Sequence, residues 1–141
     1  MNYNFSIDSR YLNGKIYKLY SKQYPTLLYI GSTIQTLNER FGQHRINPTN
    51  DLTAKLFQCF DDVNIELVEL FPCLNREQLI YREQCYIHQC VAVNGIILNK
   101  QFTYYQAPTK CPKEIVECLI KLHPEHTVSL TYILMRDYPT L

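Results

Sequence analysis

An α+β fold, with a small three-stranded antiparallel sheet flanked by helices and a short helical C-terminal extension, is predicted by three features of this 141-residue sequence. Two runs of alternating hydrophobicity stand close together near the N-terminus. A third such run follows further along, and the segments between and after the runs carry apolar residues at helical spacing behind recognisable caps. The composition fits this reading: 46% hydrophobic and 19% charged residues describe one globular domain with a real core and no disordered stretch.

Gly14 and the residues before it read as a loop. From Lys15 the chain alternates, with Ile16, Lys18 and Tyr20 on one face and Lys15, Tyr17 and Leu19 on the other, which predicts a strand. Tyr24-Pro25 excludes a helix and predicts a turn, after which Leu27 to Ser32 resumes as a second strand. The short connection makes the pair an antiparallel hairpin. Thr36-Leu37-Asn38-Glu39 has the Thr-x-x-Glu form of a capping box, so a helix opens at Leu37. Leu37, Phe41 and His44 fall on one face of it, and Arg40 lies four residues before His44, so an arginine and a histidine project from one side.

Asn47-Pro48-Thr49-Asn50 is a loop, and Asp51 is placed to cap a second helix with Leu52, Leu56, Cys59 and Phe60 along one stripe. Val63 to Phe71 alternates and predicts a third strand ended by Pro72. Asn75 then caps a longer helix whose buried stripe is Leu79, Ile80, Tyr86, Ile87 and Cys90. Glu83 lies inside that stripe, four residues from both Leu79 and Ile87. A carboxylate facing a core is costly unless it is paired or bound to a cation, so Glu83 is a candidate functional group. The alternatives are a partly exposed Glu83 at the stripe's edge or an internal ion pair with an arginine such as Arg40. Glu77, in the first turn, only complements the helix dipole.

Asn94-Gly95 reads as a turn before the short apolar run Ile96-Ile97-Leu98, which ends at Asn99. Gln101 to Thr109 reads as a linker, Pro112 opens a helix with Ile115, Val116, Leu119 and Leu122 on one side, and Thr127 to Met135 forms another. Residues 1–100 are thus expected to form the functional domain and residues 101–141 a linker and helical extension packed on it. The extension's two helices carry too few cations to read as a DNA-reading helix pair.

Charge and cysteine usage set further limits. The net charge of +1 is unevenly distributed: up to residue 50, six Lys/Arg against two Asp/Glu give +4, and the remainder carries eight against eleven, or −3. Lys15, Lys18, Lys22 and Arg45 in the first part form a candidate phosphate-following face. The six cysteines show no Cys-x-x-Cys spacing and read as reduced core thiols rather than a disulfide framework or zinc site. The opening MNYNFSIDSR has neither a basic n-region nor an apolar h-region, and no run is long enough to span a membrane. An intracellular protein of cytoplasm or nucleus is expected.

Lys15-Ile16-Tyr17 followed by Tyr29-Ile30-Gly31, then Arg40 and His44 on the next helix, resembles the GIY-YIG nuclease superfamily. The resemblance extends to Leu79-x-x-Arg82-Glu83-Gln84-x-Tyr86-Ile87, similar to the family's metal-binding glutamate segment, and to Asn99. It departs at Lys15, where the family has glycine; Gly14 stands one place early. The resemblance implies a divalent-metal-dependent endonuclease that hydrolyses DNA phosphodiester bonds. Glu83 would hold Mg²⁺ or Mn²⁺, Arg40 would face the developing negative charge, Tyr17 would serve as general base helped by Tyr29, His44 would relay the proton or orient Tyr17, and Asn99 would support the site. An RNA substrate, or a DNA-binding or scaffolding module that retains the fold without the chemistry, is the alternative. The compact module offers little surface for reading bases, so either structure-directed cleavage or delivery by a partner protein is expected. A homodimer would allow both strands to be cut.

Overall fold

The computed structural model describes residues 6–48, 50–92, 96–99 and 106–139. The chain opens on a single 3-10 turn, Ser9–Asn13, capped by Asp8, and enters the hairpin of β1 (Lys15–Ser21) and β2 (Tyr24–Thr33). Helices α1 (Leu37–Ile46) and α2 (Asp51–Cys59) follow, then β3 (Val63–Leu70) and the long α3 (Arg76–Ala92). After the short β4 (Ile96–Ile97) come α4 (Lys113–Leu122), a 3-10 turn and α5 (Thr127–Asp137). No described helix is long and apolar enough to cross a membrane. The Asn94-Gly95 turn and the Tyr104-Tyr105 part of the linker lie outside the described residues.

The sheet has the order β3-β1-β2-β4, with β1 antiparallel to both β2 and β3. The three antiparallel strands are those read from the alternation, and the structure adds β4, which pairs parallel to β2 at Leu27 and Leu28. Pro25 does not end the hairpin turn as expected; it lies inside β2. The ladder jumps from Tyr20↔Leu28 to Ser21↔Tyr24, so Pro25 falls in an irregular stretch where its missing N–H is not needed. A second irregularity separates Ile16 from Tyr17 in the pairing with β3.

Both faces of the sheet are covered. Ile16, Leu28 and Ile30 pack with Cys73, Leu79 and Ile87 beneath α3, whereas Tyr17, Leu19 and Tyr29 pack with Leu56 and Leu98 on the opposite face, where Phe41 of α1 and Phe57 of α2 also bear on them. Each fully buried large apolar side chain contributes about 1.5–3 kcal/mol by removal from water. Gly14 is required by this packing: a Cβ there would collide with the Phe71 carbonyl oxygen and press on a Leu79 methyl group. The glycine one place early therefore serves the close approach of the first turn to the end of β3.

Two helix stripes differ from expectation. The N-cap of α2 is Asn50, whose Oδ1 accepts from Thr53 N at 2.8 Å, and Asp51 is the first helical residue. Its packed side carries Thr53, Leu56, Phe57 and Phe60, while Leu52 and Cys59 are exposed. In α4, Leu122 is 67% exposed, and the packed residues are Ile115, Val116, Leu119 and Ile120. That face joins Leu130 and Ile133 of α5 against Leu12 and Leu74. Arg136 of α5 adds a polar contact, donating from Nη1 to the Pro72 carbonyl at 2.7 Å and stacking 4.3 Å from the Phe71 ring centroid.

Candidate active site

The capping box at Thr36 begins α1 as expected, with Thr36 Oγ1 accepting from Glu39 N at 3.2 Å. Leu37 and Phe41 turn toward the sheet and carry His44 down with them to complete burial. There His44 meets Tyr17 of β1: the phenol oxygen lies 2.7 Å from Nε2, and both residues are 0% exposed. Arg40 Nε donates to the same oxygen at 3.1 Å. A guanidinium only donates, so the oxygen accepts from Arg40; in the tautomer with an unprotonated Nε2 its own hydrogen points at His44, and in the other tautomer the oxygen accepts from both.

Electrostatics keep both partners of this pair uncharged at neutral pH. Burial, and then the Arg40 charge, push the His44 pKa down to about 4, so the imidazole is neutral at pH 7. Burial pushes the Tyr17 phenol well above its ordinary range, with Tyr29 adding to the rise and Arg40 opposing it. Gly31 makes this arrangement possible, since a Cβ at that position would collide with the Tyr17 phenol.

Tyr29 stands on the same face of the sheet, its ring centroid 6.4 Å from that of Tyr17 and 5.4 Å from that of His44. Asn99 holds the strand that carries it. Asn99 Oδ1 accepts from Ile30 N at 3.0 Å and Nδ2 donates to Ile30 O at 2.7 Å, so the amide continues the ladder that β4 begins. Past this contact the edge of β2 is uncovered, and Ser32 and Thr33 open onto a cleft of about 580 Å³.

Glu83 enters the cleft from α3, and Tyr29, Arg40 and Asn99 line it as well. The Glu83 carboxylate is largely desolvated, which raises its pKa, while hydrogen bonds from Ser32 and Gln84 and the Arg40 charge act in the opposite direction. Ser32 Oγ donates to Glu83 Oε1 at 3.1 Å. The neighbouring Gln84 is buried, and its Oε1 has no hydrogen-bond partner among the described residues. No group of three or more His, Cys, Asp or Glu side chains suited to a metal occurs among the described residues. One carboxylate beside the Ser32 hydroxyl in a polar cleft fits a hard cation that takes few protein ligands and retains most of its own waters, as Mg²⁺ does. The alternative of a Glu83–Arg40 ion pair is not formed; Arg40 bonds to Tyr17 and to Gln43 Oε1 instead.

The cations read from the sequence as a phosphate-following face are not brought to this cleft. Lys15 Nζ donates to the carbonyls of Asn13 and Gln35 at 2.9 and 3.0 Å, and its pKa is lowered by burial. Lys18 lies 3.9 Å from Glu66, Lys22 is in the exposed hairpin turn, and Arg45 is exposed and stacks 5.2 Å from the Phe41 centroid. The cleft is lined instead by an arginine that the sequence reasoning passed over, Arg76, together with Tyr11. A signal for Arg76 existed: it is the first residue of α3, where the helix dipole favours an acid.

Neither the curated proteins nor the solved structures provide a match for this chain. The family model described as the GIY-YIG catalytic domain matches residues 13–94, from the glycine turn through α3. With more than half of its length matched, and with a nuclease-family fold around the Tyr17, Tyr29, Arg40 and Glu83 constellation, the chain belongs to the GIY-YIG family.

Proposed function

We propose that this chain is a divalent-metal-dependent endonuclease that hydrolyses DNA phosphodiester bonds. The observation that carries the reading is the meeting of Tyr29, Arg40 and Glu83 in one cleft, with the Tyr17–His44 hydrogen bond directly behind it. Glu83 would hold the cation, its carboxylate oriented by Ser32 and Gln84. Bound Mg²⁺ or Mn²⁺ supplies Lewis-acid polarisation of the phosphoryl oxygen and charge stabilisation at the leaving oxygen.

The protein's own residues do the rest. Arg40 brings a permanent positive charge to the cleft wall, where it meets negative charge developing on the phosphoryl oxygens. Tyr29 lines the cleft and is the phenol that contacts the attacking water. Tyr17, buried behind Tyr29, is reached by relay: the water's proton passes to the Tyr29 oxygen, the Tyr29 hydroxyl hydrogen to Tyr17, and the Tyr17 hydrogen to His44 Nε2 over the 2.7 Å bond. A phenol with a raised pKa cannot serve as a pre-formed base at neutral pH, and a neutral imidazole at hydrogen-bond distance removes that requirement. Asn99 keeps Tyr29 in place through Ile30.

Incubation of the protein with plasmid and branched DNA in Mg²⁺, Mn²⁺ or EDTA tests the proposal. Nicked or linear products that require the metal are expected. Binding without cleavage in every metal would overturn the enzyme reading in favour of a DNA-binding module, and cleavage confined to RNA would change the substrate.

A further inference from the structure

The cleft extends beyond the residues given a chemical role. Along α3, Arg76, Ile80 and Glu83 follow one another at spacings of four and three, and all three line the cleft. They form one helical stripe, with Arg76 about 10 Å along the axis from Glu83 at ~1.5 Å per residue. Ile34 and Tyr11 line the cleft as well, and the Tyr11 carbonyl accepts from Cys73 N at 3.0 Å, which holds Tyr11 next to the segment leading into α3.

Charge pairing distinguishes the cleft arginines from most others. Arg10, Arg82 and Arg136 have carboxylate partners in Asp8, Glu69 and Asp137. Arg40 bonds only neutral groups, and Arg76 makes no ion pair or hydrogen bond among the described residues. Two arginines without acidic partners on one cleft define a track for an anionic chain. Tyr11 rests against the Ile16–Leu79 core cluster and is held as a fixed aromatic surface, its hydroxyl making no hydrogen bond among the described residues. A half-buried ring and an unpaired guanidinium lining one cleft are the combination that takes a base and its phosphate in single-stranded nucleic-acid sites.

Building on the endonuclease reading, we infer that the Arg76 end of the cleft is a subsite for the nucleotide flanking the scissile phosphate, where Arg76 meets the adjoining phosphate and Tyr11 stacks an unpaired DNA base. An intact duplex cannot offer that base without unstacking it. The subsite therefore favours DNA with an unpaired nucleotide beside the cut, such as a flap, a bulge or a single strand, and supplies a physical basis for structure-directed cleavage.

Fluorescence anisotropy in EDTA, with a short labelled single strand and the duplex of the same sequence, tests the subsite without cleavage. Wild-type protein is expected to bind the single strand more tightly. Arg76→Gln should weaken that binding and reduce the salt dependence by about one phosphate contact. Tyr11→Leu should reduce single-strand affinity about 5-fold or more, and Tyr11→Phe, which keeps the ring, should not. Unchanged affinity and salt slope in Arg76→Gln would overturn the subsite, as would equal binding by the Leu and Phe variants. Arg76 is exposed and its replacement leaves the core intact, so it decides the matter even if Tyr11→Leu fails to fold. The two readings fail separately: a wild-type protein that binds through Arg76 but cuts nothing with metal refutes the nuclease alone, and a metal-dependent nuclease indifferent to Arg76→Gln refutes the subsite alone.

Discussion

Replacing Tyr17 with Phe removes one oxygen and leaves the ring packing intact, which makes it the sharpest probe of the buried relay. The lost hydroxyl served His44 Nε2 at 2.7 Å and Arg40 Nε at 3.1 Å. Arg40 is only partly buried and keeps Gln43 and solvent, so its loss costs little. His44 is 0% exposed, and an unsatisfied acceptor there costs about 1–3 kcal/mol. A net destabilisation of about 2 kcal/mol is expected, or roughly 6–8 °C in Tm for a chain of this size. Urea denaturation at pH 7.5 reads this as a lower midpoint with an unchanged m-value. In a double-mutant cycle with His44→Leu, the pair should cost clearly less than the sum of its parts, because two apolar groups leave nothing unsatisfied. Cleavage by Tyr17→Phe should fall by about 100-fold or more with loss of the proton acceptor. A variant with wild-type stability would refute the buried hydrogen bond, and one with full activity would refute the proton route.

Further expectations concern the same scaffold. The folded pKa of His44, about 4, lies below its ordinary value of 6.5, so the unfolded chain binds the proton more readily between those values. Its contribution, up to about 3 kcal/mol, is complete above pH 6.5 and is lost as pH falls toward 4. Glu83, whose pKa is raised, acts with opposite sign and loses stability as pH rises through its folded pKa. Urea midpoints measured across this range should therefore drop on acidification, and His44→Asn should flatten most of that drop. Gly31→Ala places a methyl group against the Tyr17 phenol, and it should lower both Tm and cleavage more than Gly42→Ala, which meets nothing. Asn99→Leu removes two hydrogen bonds to Ile30; calorimetry should show a loss of about 1–2 kcal/mol, with slower cleavage as β2 loosens.

Much of the fold was legible because its signals are local. The alternation of Lys15 to Tyr20, the Thr36 capping box, the Asn75 cap and the placement of Glu83 within an apolar stripe each depend on neighbours a few residues away. The hairpin, α1 and α3 follow from them, whereas the convergence of Tyr29, Arg40 and Glu83 on one cleft was implied by the family resemblance of the segments that carry them and not by their periodicity. What escaped was set by distant contacts. β4 is two residues long and exists through its pairing with β2, extended by the Asn99 amide. Pro25 reads as a turn residue, and only the irregular ladder shows why a strand tolerates it. Lys15 looks like a surface cation, yet two carbonyls far apart in sequence claim its ammonium group. Arg76 and Tyr11 carry no periodic signal toward each other, and they line one cleft only because the first turn and the start of α3 both border it.

The proposed role of Glu83 as the group through which a metal serves the reaction is tested most directly by parallel cleavage and binding of one branched DNA by wild-type protein and Glu83→Gln, in Mg²⁺ and in Mn²⁺. Glutamine keeps the shape and the hydrogen-bonding capacity of the side chain while removing its charge. Binding within about twofold of wild type and cleavage reduced by at least about 100-fold in both metals are expected. Metal-dependent cleavage that survives Glu83→Gln at the wild-type rate would contradict it.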